Sequence, residues 1–164
     1  MDARSFNNAR LLALLLPGAL MAGALGSQYW GGLYPCEMCH WQRWPHYAAI
    51  ALAALSFVVP GGQGARKILV ALAAFAILTS GAIGVFHAGV EYHWWEGLTA
   101  CSTTISGSGG SVEDMLARVM AAPIVRCDAA QWRLFGISLA GYNALFSLGG
   151  AAIITALMLR KRPA

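Results

Sequence analysis

Charge is what this chain most lacks. Asp, Glu, Lys and Arg supply only 11% of its 164 residues, far below the roughly 25% of an ordinary soluble domain. They are missing altogether from Leu11 to Cys36, Trp44 to Ala65, Ile68 to Val90 and Leu134 to Leu159. That absence excludes a water-soluble globular fold. Each window holds an apolar stretch near the roughly 20 residues that a helix needs to cross a bilayer, although Pro45 and Pro60 shorten the second. The pattern predicts an all-α integral membrane protein, a four-transmembrane-helix bundle forming one membrane domain over residues 1–164. Its helices are expected at about 10–27, 40–60, 67–90 and 133–159, with outer loops at about 28–39 and 91–132.

The first apolar run follows Arg4 and Arg10 and ends near Ala22-Gly23-Ala24, which has the look of a signal peptide. Leu11 to Ser27 is longer than the apolar core of such a peptide, so a retained helix is expected. The eleven Lys and Arg set the orientation. Arg4, Arg10, Arg66, Lys67, Arg160, Lys161 and Arg162 lie at the short connections and ends on one side; Arg43, Arg118, Arg126 and Arg133 are spread over longer segments on the other. The positive-inside rule then puts both termini in the cytoplasm. The net charge of +4 reflects this topology and is no sign of nucleic-acid binding.

Acidic residues gather outside, at Glu37, Glu91, Glu96, Glu113, Asp114 and Asp128, together with all six tryptophans. An aromatic belt at the membrane interface accounts for the tryptophans. Helix three is rich in small residues, and Ser80 with Gly84 forms a small-x-x-x-small pair suited to close helix packing. His87, near the outer end of that helix, is a candidate functional group because ionisable side chains are costly within a membrane. His40, His46 and His93 are expected at the water boundary beside Trp or Tyr.

Cysteine is sparse as well. There are four, and all lie on the outer face: Cys36, Cys39, Cys101 and Cys127. Pro35-Cys36-Glu37-Met38-Cys39-His40-Trp41-Gln42-Arg43 joins a Cys-x-x-Cys pair to an arginine four residues past the second cysteine. If a helix starts near Pro35, Cys39 and Arg43 stand one turn apart on one face; if it starts at Pro45, both approach its positive end. Either arrangement favours a thiolate.

Cys101 and Cys127 lie in the one long loop, separated by the glycine-serine strip 106–110. Ser111 is placed to cap a short helix, in which Val112, Met115, Leu116, Val119 and Met120 make one apolar face. That helix is expected to lie horizontally on the membrane in the second periplasmic loop. The loop cysteines suit a structural staple, worth about 3 to 4 kcal/mol by chain entropy, or a second exchanging pair. With little mass outside the membrane to stabilise, the exchanging pair is the better reading: an electron relay from a soluble dithiol to Cys36 and Cys39. Zinc is disfavoured because Cys101 and Cys127 lack the short paired spacing of structural sites, so no metal is expected. A non-catalytic membrane scaffold or a metal-binding subunit is the reading of a different class.

Four predicted helices, Cys36-x-x-Cys39 with Arg43, Cys101 and Cys127 in one loop, and Cys127-Asp128 followed by Trp132 and Gly136 resemble the disulfide bond formation protein B (DsbB) family. The resemblance covers nearly the whole chain. It implies an enzyme of the bacterial inner membrane, a protein-disulfide:quinone oxidoreductase that reoxidises the periplasmic thiol oxidase DsbA and passes electrons to a quinone, ubiquinone or menaquinone. By the same resemblance Cys101 takes the partner's thiolate, Cys127 is its disulfide mate and bridges to Cys36, Cys39 adjoins the quinone, Arg43 stabilises that thiolate, and His87 lies near the quinone ring. Since DsbA is itself a strong oxidant, an ordinary disulfide cannot reoxidise it without a terminal acceptor. The short glycine-rich loop and Glu91-Tyr92-His93-Trp94-Trp95 fit one subgroup of the family better than its enterobacterial form. A vitamin K epoxide reductase-like enzyme is the nearer enzymatic rival, but there the loop pair precedes the membrane-side motif.

Overall fold

The computed structural model describes residues 2–60, 62–97, 102–103, 111–113, 116 and 124–160. Four long helices dominate them: α1 (Ala3–Tyr29), α2 (Glu37–Val58), α3 (Gln63–Glu91) and α4 (Leu139–Leu159). Three of these, α1, α3 and α4, are both long and apolar enough to cross a membrane. The 22 residues of α2 open on a polar stretch containing Glu37, His40, Gln42, Arg43 and His46. Together the helices make a multi-pass membrane protein.

Small side chains let the helices approach. Ala9 and Ala13 of α1, Ala49 and Ala53 of α2, Ala73 of α3 and Ala151 of α4 are buried in one cluster with Val70, Ile77 and Ile154. Ser80 and Gly84 act as their spacing predicts: a Cβ added to Gly84 would meet Ala140 O, Ala144 N and Asn143 Nδ2 of α4, each at 3.1 Å. Backbone atoms cannot give way as a flexible side chain does. Gly84→Leu is therefore expected to destabilise the protein by about 1 to 3 kcal/mol through overpacking, read as a lower thermal midpoint in detergent.

Helix boundaries depart from expectation at three helices. α1 begins at Ala3, well before the expected start near residue 10. α2 begins at Glu37, with Cys36 as its N-cap, and runs on through Pro45. Residues 133–138, expected to open the last helix, instead form a hairpin: β3 (Arg133–Leu134) pairs antiparallel with β4 (Ile137–Ser138). Phe135 (φ 49°) and Gly136 (φ 79°) make its two-residue turn, the conformation that matches strand twist. Ser138 then caps α4 by accepting from Gly141 N at 3.1 Å. Tyr92, just past α3, fixes this hairpin, donating its hydroxyl to Gly136 O at 2.9 Å and accepting from Ser138 N at 3.1 Å.

A second ladder, β1 (Ser102–Thr103) with β2 (Ile124–Val125), ties the ends of the long loop together. The predicted horizontal helix falls largely outside the described residues, as does Cys101.

Candidate functional site

The Cys-x-x-Cys pair sits where a helix begins, and that local geometry orders it. Cys36 is the N-cap of α2, and its sulfur accepts the Cys39 amide at 3.3 Å. The two sulfurs lie 2.8 Å apart, without a disulfide between them. Cys36 is buried, packed with Met38, Val90, Val125 and Cys127, while Cys39 stands at the edge of that cluster.

The loop brings Cys127 onto this pair. Gln131 Nε2 donates to Tyr34 O at 2.5 Å, holding the segment after Cys127 against the approach to α2. Arg126 and Asp128, flanking Cys127, pair across it, with Arg126 Nε 2.8 Å from Asp128 Oδ1. That pairing holds the Asp128 carboxyl below its usual range. As a result the sulfurs of Cys36 and Cys127 and one ring nitrogen of His87 all lie within 4.8 Å of one another. Hydrogen bonding to Cys127, then to Cys39, and then burial push the Cys36 thiol up.

Directions of hydrogen bonds fix the state of His87. Gln42 Nε2 faces the Met38 carbonyl at 3.2 Å and His87 Nδ1 at 2.7 Å. A carbonyl only accepts, so Nε2 is the amide nitrogen and His87 Nδ1 is its acceptor. The neutral ring then carries its proton on Nε2, 3.5 Å from Cys36 Sγ and 3.8 Å from Glu91 Oε1. His87 is thus a donor shared between the Cys36 sulfur and the backbone of Cys127.

The row continues inward. Gln42 Oε1 accepts from Asn143 Nδ2 at 2.8 Å, and Asn143 Nδ2 also faces the Ser80 carbonyl at 3.2 Å. Asn143 Oδ1 accepts from Ser147 at 2.9 Å and lies 2.9 Å from His46 Nε2. His46, expected at the water boundary, is instead 3% exposed. The reason is the early start of α2, which carries His46 more than two turns inward from Cys36.

Arg43 stands one turn from Cys39 as predicted, but its recorded hydrogen bonds go to α1: Nη1 to Gln28 Oε1 at 2.6 Å and Nη2 to Ala24 O at 3.2 Å. A cavity of about 240 Å³ adjoins the pair and is lined by all four helices, among them Leu20, Cys39, Arg43, His46, Trp132 and Phe146. Two buried polar atoms of residues lining it, His46 Nδ1 and Glu91 Oε2, lack a hydrogen-bond partner among the described residues.

Of the residues singled out in the sequence, Cys36, Cys39, Cys127 and His87 lie together, Arg43 stands one turn away bonded to α1, and Cys101 is outside the described residues; Gln42, His46 and Asn143 were not singled out. One signal was available: Asn143 is the only side-chain amide between Leu134 and Leu159, and an amide inside an apolar span needs a partner on another helix.

A dithiol at one helix terminus with a third cysteine docked against it, within a helical membrane protein, is an arrangement suited to thiol–disulfide exchange. The family of disulfide bond formation protein DsbB matches residues 6–157, and the chain belongs to that family. It is 26% identical over 151 residues to a disulfide bond formation protein B of Xanthomonas oryzae pv. oryzae, covering 88% of this chain and 86% of that one. A disulfide bond formation protein B of Chromohalobacter salexigens is 28% identical over 159 residues, covering 87% and 90%. An uncharacterized protein of Rickettsia prowazekii is 24% identical over 115 residues, covering 70% of this chain and 65% of its own length. No match to a solved structure was found. The protein is accordingly a disulfide-forming oxidoreductase of the membrane.

Proposed function

We propose that the protein reoxidises a DsbA-like periplasmic thiol oxidase and delivers the electrons to a membrane quinone, ubiquinone or menaquinone. In this reading α2 is the fourth span, both termini are cytoplasmic, and the host membrane is the bacterial inner membrane. The observation that carries it is the position of Cys36, within reach of Cys39 on one side and Cys127 on the other.

A reduced partner transfers its two electrons to the Cys101–Cys127 disulfide, closing its own disulfide and leaving two loop thiols. The Cys127 thiolate then attacks Cys36 of an oxidised Cys36–Cys39 pair; the Cys36–Cys127 bond forms and Cys39 departs as a thiolate. Attack by Cys101 on Cys127 restores the loop disulfide and leaves Cys36 as a thiol, with His87 Nε2–H beside it to steady the charge as it develops. Arg43, one turn from Cys39, adds its field in favour of the Cys39 thiolate.

The cavity beside Cys39 suits a planar acceptor, with Trp132, Tyr142 and Phe146 on its walls and two orphaned polar atoms on residues lining it. A bound quinone supplies the capacity for two electrons and two protons. Cys36 and Cys39 release two electrons as their disulfide closes, and Cys36 releases one proton; with Cys39 a thiolate the second proton comes from solvent, so the exchange balances.

Purified protein is expected to oxidise a reduced DsbA-like partner only when quinone is present, and Cys101→Ser should fall to background. Thiol loss and quinone absorbance, followed together with ubiquinone and menaquinone in parallel, check this. Turnover without quinone, or turnover by Cys101→Ser, would sink the relay. The Cys36, His87 and Cys127 cluster also has the donor chemistry of a soft-metal site. Treatment with a chelator in the same assay separates the readings: a relay keeps its rate, and a metal centre loses it.

A further inference from the structure

The cavity has a second polar end that the thiol chemistry leaves unused. His46 lines it from α2, seven residues past Cys39, about 10 Å further along the helix axis at 1.5 Å per residue. Its ring is held by groups of α3 and α4. Asn143 is oriented by the Ser80 carbonyl, which only accepts; Nδ2 must face it, so Oδ1 is the atom presented to His46 Nε2 at 2.9 Å. Ser80 Oγ, also 2.9 Å from Nε2, spends its own hydrogen on Gln42 O at 2.8 Å. Ser147 Oγ, 3.5 Å from Nε2, gives its hydrogen to Asn143 Oδ1, so all three neighbours of Nε2 are acceptors and Nε2 must carry the hydrogen. In the neutral ring Nδ1 is then a bare lone pair.

That lone pair has no partner among the described residues. A buried acceptor left unpaired costs about 1 to 3 kcal/mol, and Ser80, Asn143 and Ser147 all engage the other nitrogen, which keeps the ring from turning over to satisfy Nδ1. His46 lines the cavity, so a molecule bound there is a source of the missing donor. A quinone offers carbonyl acceptors and no donor; a quinol offers two hydroxyl hydrogens, at opposite ends of its ring.

We propose that His46 Nδ1 is a binding group for the distal hydroxyl of the reduced quinone, so that the site holds the quinol more tightly than the quinone at the end remote from Cys39. This rests on the quinone reading above. No bond forms or breaks at His46; it accepts a hydrogen bond from the product of a transfer whose two electrons come from Cys36 and Cys39 and whose two protons come from Cys36 and solvent. The preference draws the thiol-to-quinone step forward, and it requires His46 to be neutral with Asn143 in the orientation seen.

Two substitutions separate the ring's two nitrogens. His46→Gln places an amide near Nε2, keeping the contact with Asn143 and removing the acceptor at Nδ1. His46→Asn places its oxygen near Nδ1 and gives up the Nε2 contact. Binding is read in detergent by quenching of tryptophan fluorescence, titrating short-chain ubiquinol and short-chain ubiquinone separately, with thermal melts to verify folding. His46→Gln is expected to weaken ubiquinol binding about tenfold, or 1.4 kcal/mol, with ubiquinone binding changed by less than about twofold; His46→Asn recovers a substantial part of the ubiquinol affinity. Unchanged ubiquinol binding in His46→Gln, or equal losses for both probes, overturns the inference while leaving the quinone reading standing. Wild-type protein that binds neither probe overturns both.

Discussion

Cys39→Ser protein is expected to lose quinone reduction, with turnover falling by about three orders of magnitude or more, to the uncatalysed background. Both cysteines of the pair line the cavity, and the Cys39 sulfur lies 2.8 Å from that of Cys36. A serine hydroxyl cannot close a disulfide, so the pair has no oxidised form and no electrons to release. The substitution also leaves Cys36 intact beside Cys127, and with Cys39 absent nothing competes for it. A Cys36–Cys127 bond should therefore accumulate when the purified variant is exposed to an oxidised partner, and peptide mapping under non-reducing conditions would detect it. Serine is close in size to cysteine, so the melting temperature should barely change. Retained quinone reduction, or mapping that pairs Cys36 with nothing, would remove Cys39 from the proposed relay.

Gln42→Leu should damage both stability and rate. Its amide contacts Met38 O, His87 Nδ1 and Asn143 Nδ2, and leucine satisfies none of them. Hydrogen bonds between membrane helices average well under 1 kcal/mol each, but a buried group left unpaired costs more; a loss of about 2 to 4 kcal/mol follows, measured by denaturation in detergent. The kinetic effect has a different origin. Without the Gln42 donor, nothing dictates which nitrogen of His87 carries its proton, and the aimed Nε2–H is no longer enforced. Quinone-dependent turnover should fall about ten- to a hundredfold. Gln42→Glu serves as the control: it keeps an oxygen for Asn143 but accepts from His87 Nδ1, which turns the lone pair of Nε2 toward Cys36. Its stability should lie nearer the wild type while its pH profile shifts. A Gln42→Leu protein with normal turnover would mean that the orientation of His87 is unimportant.

Much of the architecture was legible because it is local. Four charge-free windows correspond to the four long helices, and Pro35 marked one of two possible starts for α2, Pro45 being the other. Ser80 and Gly84 signalled the contact between α3 and α4, since small residues one turn apart leave room for only one kind of neighbour. What stayed hidden depends on contacts between distant segments. Gln42 and Asn143 are 101 positions apart, and no periodicity relates them until the helices pack. His46 was misplaced because Trp44 and Tyr47 suggest a membrane interface, whereas the Cys36 cap starts α2 early and carries His46 inward. The hairpin before α4 was missed because Leu134, Phe135 and Ile137 look like the first turn of an apolar helix; the positive φ at Phe135 and Gly136 appears only once Tyr92 is seen to grip the turn.

The row from His87 through Gln42 and Asn143 to His46 joins the thiol end of the cavity to its far end, yet its two middle links are amides. An amide donates through one atom and accepts through another, and at neutral pH it neither takes up nor gives away a proton. The two imidazoles are thus mechanically coupled and protonically insulated. A change in the position of one is felt by the other, but a proton cannot hop between them along this row. This row therefore carries no proton from the thiols to the far end of the cavity, and Glu91, 3.8 Å from His87 Nε2, is a titratable group that stays beside them.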